Sequence, residues 1–386
     1  MRVSALVLVA FVLPGCNGCT KEPPPDDPGP IGDDTPKDPH DVGSWLSMRA
    51  MPDGRPAVAF YDRTSGALAF AIGTVTDGSV TWAIEEVDSY PDENGLNPGD
   101  SGKYASMAIG SDGVAWVLYQ DTSNGVLKYA TRDTAGVWTI GNADTGGGPN
   151  YDSGYWASVA LDPSGNPVAA HYDAAKGALR VARWNGTAFT AAAVYEGTDY
   201  TSTDTAVDSV SGNAGEYARI AIAADGTEYI AFYDRAWGAL RLASGNVGGY
   251  SFELVDDTAD VGQWPDLLVD GANLSIAYHD VTNQDLKLAQ GRANGAWNVE
   301  TVDSGDHVGA DTAIYANGSD PGIVYFDGAN NDMKVARKSG SAWALETVGS
   351  TGSAVGYHNE TVTLGGAQYV ASYDYTARTI WFSALP

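Results

Sequence analysis

The sequence predicts an all-β fold: a wheel of seven short up-and-down sheets, the last one incomplete, behind an export signal and a tether. Three observations carry this. A short apolar run ending in aspartate occurs seven times, at Asp62, Asp121, Asp173, Asp234, Asp280, Asp327 and Asp374, with spacings of 59, 52, 61, 46, 47 and 47 residues. Each is followed by a second alternating run, from GALAFA at Gly66 to RTIWFS at Arg378. The 386 residues include 47 glycines, 21 tyrosines and 11 tryptophans with only 18% charged side chains, which suits sheets and turns and not a coiled coil or a disordered chain.

Taken in order, residues 1–15 carry one cation, Arg2, then the apolar run SALVLVAFVL and Leu13-Pro14-Gly15-Cys16. The run is too short to span a bilayer as a stable helix and reads as an export signal. Its last four residues resemble the lipobox of bacterial lipoproteins. That resemblance implies cleavage before Cys16, acylation of Cys16 and its new amino group, and membrane lipid as a partner. Asn17 is compatible with outer-membrane sorting, hence a lipid-anchored location at the bacterial outer membrane or cell surface. The alternative is an ordinary secretory signal whose cysteine is incidental. Residues 16–40 are dominated by proline, glycine and aspartate and read as a stiff, solvated tether. Only Cys16 and Cys19 are cysteines, so residues 41–386 hold no disulfide, thiol nucleophile or cysteine metal site.

From residue 41 each unit reads as four strands, A to D. Strand A, as in YASMAIGSDG, alternates small and large side chains and ends in a glycine turn. Strand B ends in the aspartate. Strand C is the G-x-L-x-x-A run. Strand D follows a turn with an aromatic at Trp82, Trp138, Phe189, Phe252, Trp297 or Trp343. One such sheet cannot bury both faces, whereas seven stacked radially cover one another, giving a seven-bladed β-propeller. The seventh unit stops at Pro386 without a strand D, which predicts an incomplete blade or a weak closure by residues near 31–40.

The unit resembles the YD…GxLxxA…W repeats of exported bacterial and archaeal β-propeller proteins, across nearly all of residues 41–386. More loosely, Thr131 to Trp138 is similar to the Asp-box of sialidase propellers with one residue inserted, and seven-bladed lectins share the architecture. No three arginines stand at matching positions to clamp a carboxylate, so sialidase activity is not implied.

Up-and-down order puts the D–A and B–C connections on one rim. The long D–A connections, 88–103, 143–155 and 195–215, place any site there. Two residue rings collect on that rim. The seven aspartates read either as caps of the B–C turn or as ligands for calcium or sugar hydroxyls, although no calcium loop is present. The aromatics Trp45, Tyr104, Trp156, Tyr217 and Trp264 open strand A, with Gly309 and Asn359 in their place in the last two units. They read as packing or as platforms for sugar. Departures from the repeat are the sharper candidates, because the fold does not demand them. Two residues beyond the aromatic the series runs Ser47, Ser106, Ser158, Arg219, Asp266, Asp311 and Thr361. Arg219 with Asp266 reads as a salt bridge between blades or as an anchor for a polar ligand at the channel mouth. His171, His279, His307 and His358 are also unit-specific, and Arg63, Arg235 and Trp237 extend B–C loops.

With 49 acidic against 21 basic side chains the formal charge is −28, which repels nucleic acid. The leading expectation is a surface-anchored binding module for glycan or protein ligands. The alternatives are a glycoside hydrolase or lyase, with Asp266 and Asp311 as acid and base, and a structural spacer. No catalytic motif or metal site stands out. Apart from calcium, no cofactor is expected.

Overall fold

The computed structural model describes residues 41–90, 99–146, 152–197, 213–339, 341–349 and 352–386, and all regular structure among them is β-strand. Six antiparallel sheets have four strands in sequence order, and the seventh has three. Blade 1 shows the pattern: strand A Val42–Ala50, B Pro56–Asp62, C Ala67–Thr76 and D Ser79–Asp88. Blades 2 to 7 occupy 101–144, 153–195, 214–256, 261–303, 308–349 and 355–384. Strand A of every blade packs on strand A of both neighbours, that of blade 7 on that of blade 1. The seven A strands therefore line a central channel and the wheel closes as a seven-bladed β-propeller. The export signal, Cys16, the tether and any closing strand near 31–40 lie outside the described residues.

One hydrogen bond repeats at every seam. The first N–H of strand A reaches the carbonyl at the end of the preceding blade's B–C turn, as Ser101 to Gly66 at 3.1 Å and Val261 to Gly238 at 3.0 Å. The closing seam uses the same bond, Val42 N–H to Arg378 O at 3.1 Å. That turn position is left-handed in all seven blades, with φ between +54° and +66°. It is glycine in blades 1 to 4 and Gln284, Asn331 and Arg378 afterwards, which explains why G-x-L fades along the sequence.

A second glycine is kept throughout. Gly43, Gly102, Gly154, Gly215, Gly262, Gly309 and Gly356 have φ from +94° to +122°. A Cβ on Gly102, Gly215 or Gly262 would lie 2.7 Å from backbone of the preceding blade's strand C. Here glycine is required twice, by conformation and by the approach of two blades. Strands B and C, sandwiched between neighbours, carry the core. Phe60, Phe70, Tyr119, Phe232, Tyr278 and Tyr325 are fully buried, each contributing roughly 1.5–3 kcal/mol of apolar burial.

Candidate functional site

The channel site begins with an irregularity in strand A. Between Ser44 and Ser47 two residues of A, Trp45 and Leu46, face one of B, Phe60, and the same bulge recurs in every blade. The bulged residue is left-handed, with φ from +47° to +56°, and is Trp45, Tyr104, Trp156, Tyr217, Trp264, Asp311 or His358. For a residue with a Cβ this conformation costs on the order of 1–3 kcal/mol. All seven side chains line one cavity of about 100 Å³ in the half of the channel nearest the D–A rim.

This register corrects the sequence alignment of the last two blades. Asp311 and His358 hold the ring positions that the alignment gives to Gly309 and Asn359. Counting from an aromatic fails there because blades 6 and 7 have none to count from. The left-handed glycine two residues earlier, present in all seven blades, is the signal that keeps the frame. The next series shifts accordingly, to Ser47, Ser106, Ser158, Arg219, Asp266, Ala313 and Glu360, each opposite an equivalent residue of strand B. Asp311 belongs to the first ring, and Glu360 replaces Thr361.

Six of the seven ring members are flat. Their neighbouring centroids are 5.5 Å apart for His358 and Trp45, 5.3 Å for Trp45 and Tyr104, 5.6 Å for Tyr104 and Trp156, 4.6 Å for Trp156 and Tyr217, and 5.0 Å for Tyr217 and Trp264. Along Trp45 to Trp264 each plane is turned from the last by 43° to 58°, against the rotation of about 51° that one blade of seven spans. Planes related in this way stand along the channel axis. Asp311 closes the circle, its carboxylate 3.8 Å from His358 Nδ1.

Beneath this ring lie the small side chains of Ala105, Ala157 and Ala218 with Leu46, Pro265, Thr312 and Asn359. The third layer ties blades together. Ser47 Oγ accepts the N–H of Met107 at 3.1 Å, Ser106 that of Val159 at 3.0 Å, and Ser158 that of Ile220 at 3.1 Å. Asp266 continues the series, accepting the N–H of Ile314 at 2.8 Å and, on its other oxygen, that of Leu267 at 3.0 Å. Arg219 cannot accept in this way. It lies 3.6 Å from Asp266 and reaches across the channel to Glu360 at 3.2 Å. Glu360 in turn pairs with Arg49 of blade 1 at 2.7 Å.

Electrostatics separate the two aspartates offered as an acid and base. Asp266 has both oxygens engaged. Asp311 faces the cavity, and burial pushes its carboxyl up to about 7, against a hydrogen bond from the His358 backbone and the more distant Arg219. Burial, with Arg63 and Arg219 nearby, lowers His358 to about 3 and keeps its ring neutral.

The seven strand-B aspartates sit at the rim and each accepts N–H groups of its own B–C turn. Examples are Thr64 to Asp62 at 2.8 Å, Asn124 to Asp121 at 3.1 Å, Lys176 to Asp173 at 3.1 Å and Trp237 to Asp234 at 3.3 Å. Asn283 to Asp280 at 2.9 Å, Asn330 to Asp327 at 3.2 Å and Ala377 to Asp374 at 2.8 Å complete the set. Among the described residues no cluster of three or more His, Cys, Asp or Glu side chains is placed to hold a metal.

Sequence reasoning missed a second set of carboxylates, at the ends of strand D. Asp88, Asp144, Asp256 and Asp303 receive a cation from strand C of the next blade: Lys128 at 2.5 Å, Arg180 at 2.7 Å, Lys287 at 2.5 Å and Lys334 at 2.5 Å. They also receive a side chain from its strand B, Tyr119 at 2.7 Å, His171 at 3.1 Å, Tyr278 at 2.6 Å and Tyr325 at 2.6 Å. His171 is thus a seam residue. His279 bonds the backbone oxygen of Val308 at 2.9 Å, and His307 is exposed beside Asp306. Arg63 lies 3.6 Å from Asp41 and Arg235 3.2 Å from Glu216, while Trp237 is exposed on the rim. Residues 91–98, 147–151 and 198–212 of the long D–A connections lie outside the described residues. Asp133, in the turn similar to an Asp-box, caps that turn on the far rim.

No protein-family model and no curated protein sequence matches the chain. Solved structures do match. The polysaccharide lyase Uly1 is 11% identical over 86% of this chain and 88% of its own, with a TM-score of 0.51. A lectin of Aleuria aurantia, solved with Fucα1-6GlcNAc, is 16% identical over 81% of this chain and 98% of its own, at 0.49. A Hadza microbial sialidase is 13% identical over 88% of this chain and 65% of its own, at 0.44. At these identities the likeness is one of fold, and the chain is similar to propellers of several activities.

Proposed function

We propose that this chain is a glycan-binding propeller, held at the bacterial outer membrane or cell surface by acylated Cys16, with its ligand site at the channel mouth on the D–A rim. One observation carries the reading: Trp45, Tyr104, Trp156, Tyr217 and Trp264 share a cavity with Asp311 and His358. Upright aromatic rings offer apolar surface to a sugar's C–H face, and a carboxyl beside them accepts its hydroxyls. The repeated fold asks only for a residue that tolerates a left-handed bulge there, and five aromatics are not what that demand selects.

The test is a glycan array probed with the wild type and with Trp156→Ala. Binding of a glycan class that falls at least about tenfold in the variant supports the site. Equal binding by both proteins would move the ligand elsewhere. Labelled palmitate entering the wild type and not Cys16→Ala supports the anchor.

A second reading, cleavage of a polysaccharide, is favoured by Asp311 alone, whose carboxyl near neutrality suits a general acid. Product analysis by mass spectrometry after incubation with array-positive glycans separates the two. Cleavage lost in Asp311→Asn would support the enzyme.

A further inference from the structure

We infer that the cavity inside the aromatic ring is a recognition site for a small organic cation, an alkylammonium group with Asp311 as its counter-ion. This deepens the reading above by naming what part of a ligand enters the channel, and it can be tested without any sugar.

The size of the hollow comes first. About 100 Å³ is well below the roughly 300–1,000 Å³ of pockets that enclose whole drug-sized ligands. What enters is a protruding group, not a complete sugar. The shape comes second. Ring centroids spaced 4.6 to 5.6 Å apart around a seven-membered circle lie about 6 Å from its axis, the distance over which an aromatic ring attracts a cation. A cation on the axis is within reach of Trp45, Tyr104, Trp156, Tyr217 and Trp264 together. The wheel already uses this attraction on the same ring, since Lys103 Nζ lies 5.6 Å from the Trp45 centroid.

The charge comes third. Asp311 lines the hollow with its side chain only 8% exposed. Among the described residues the one lysine, arginine or histidine side chain within 4 Å of its carboxylate is His358, which is neutral. The other charges facing the cavity floor answer one another: Arg219 is shared by Glu360 and Asp266, and Arg49 takes the second oxygen of Glu360. Among the described residues, the cavity carboxyl with no lysine or arginine within 4 Å is therefore the one inside the aromatic ring, on which Arg219 acts only from farther away. Burial holds it near neutrality, and a cation in the hollow supplies the missing charge. An anion would meet a carboxylate, and a neutral group would leave that carboxylate uncompensated.

Tetramethylammonium chloride is the probe, titrated at about pH 8 into the full protein and followed by tryptophan fluorescence, with sodium chloride as the ionic-strength control. The neutral isostere tert-butanol is titrated alongside, and the cation is repeated on Asp311→Asn, since asparagine tolerates the left-handed backbone. Saturable binding of the cation in the millimolar range or tighter, at least about tenfold weaker for tert-butanol and for D311N, is the expected result. Equal response to cation and isostere, no saturation by about 100 mM, or unchanged affinity in D311N would overturn it. The isostere comparison needs no variant and stands if D311N does not fold. A negative glycan array leaves a positive cation result in place. A positive array without a cation effect retires the cation site alone.

Discussion

Asp311 is the point at which the innermost ring departs furthest from its own pattern, a short carboxyl where five other blades carry an aromatic. Its environment has a consequence for stability. A carboxyl raised to about 7 in the folded chain and near its ordinary 3.8 when unfolded binds more protons folded than unfolded between those values. Stability contributed at this residue therefore falls as pH rises from about 4 to about 7, by up to about 4 kcal/mol, and is level above that. His358, lowered to about 3, slopes the other way between its ordinary 6.5 and 3, so the wild-type curve alone mixes the two. The difference between Asp311→Asn and wild type isolates the aspartate. In urea titrations across pH the variant should gain on the wild type from about pH 4 to 7 and keep the gain at pH 8. A difference that does not change with pH would mean that Asp311 is solvated. The same residue shows what the sequence hides. The five aromatics, Arg219 and Asp266 are legible as departures from the repeat. Asp311 and Glu360 are misplaced by two residues and by one, because their blades offer only a glycine for alignment.

At the scale of elements, each seam is a bargain between the end of one blade's strand D and the strands B and C of the next. Where strand D ends in aspartate, the next blade supplies a lysine or arginine on strand C and a tyrosine or histidine on strand B. Where it does not, the strand-B tyrosine or histidine is replaced, and a strand-C cation, where present, pairs within its own blade, as Arg241 does with Asp234 at 2.7 Å. Blade 3 ends in Tyr195, and blade 4 answers with Phe232 and with Arg241 set over the Tyr195 ring at 5.2 Å. Blade 6 ends in Gly349, and blade 7 answers with Ser372 and with Trp381 packed on that glycine. Blade 7 has no described strand D, and blade 1 carries Phe60 and Ala69. The motifs GVLKYA and NDMKVA display these cations in sequence, but their partners, Asp88 and Asp303, lie 40 and 31 residues back in another blade, and only the ring geometry joins them. The pair formed by Asp256 and Lys287 is almost wholly buried, at 1% and 9% side-chain exposure. Removing one member strands the other, so Asp256→Asn or Lys287→Met should each cost about 3 kcal/mol. Because the two act as a unit, the double variant should lose little more than either single one, a coupling of about 2 kcal/mol in a double-mutant cycle by urea denaturation. Additive losses would show that the seam holds by packing alone.

For the whole molecule the question is where the wheel opens. Every seam shares the strand-A hydrogen bond and an apolar cluster, but among the described residues the seam between blades 7 and 1 has neither a strand-D carboxylate nor a strand-C cation to meet it. It has a core of Leu46, Met48, Val58, Phe60 and Ile380, and Asp41, whose carboxylate accepts from Tyr373 at 2.7 Å. Among the described residues it also has a device that the other seams do not show: Glu360 of blade 7 is gripped by Arg49 of blade 1 at 2.7 Å and by Arg219 of blade 4 at 3.2 Å. A carboxylate that binds arginines of two other blades, one of them across the channel, ties the closing seam to the far side of the ring. Glu360→Gln removes the charge, keeps the shape and leaves two guanidinium groups facing a neutral amide. The expected outcome is a loss of about 2–4 kcal/mol that is unevenly distributed. Amide hydrogen exchange should rise first in the A strands of blades 7 and 1, Val355–Leu364 and Val42–Ala50, while blades 2 and 5, held by their own strand-D ties, keep their protection. Equal loss of protection around the circle would show that the wheel unfolds as one unit and that Glu360 is only one contact among many. A wheel that frays first beside Glu360 would instead place its weakest joint next to the cavity lined by Asp311 and His358, so that a ligand seated there would also hold the ring shut.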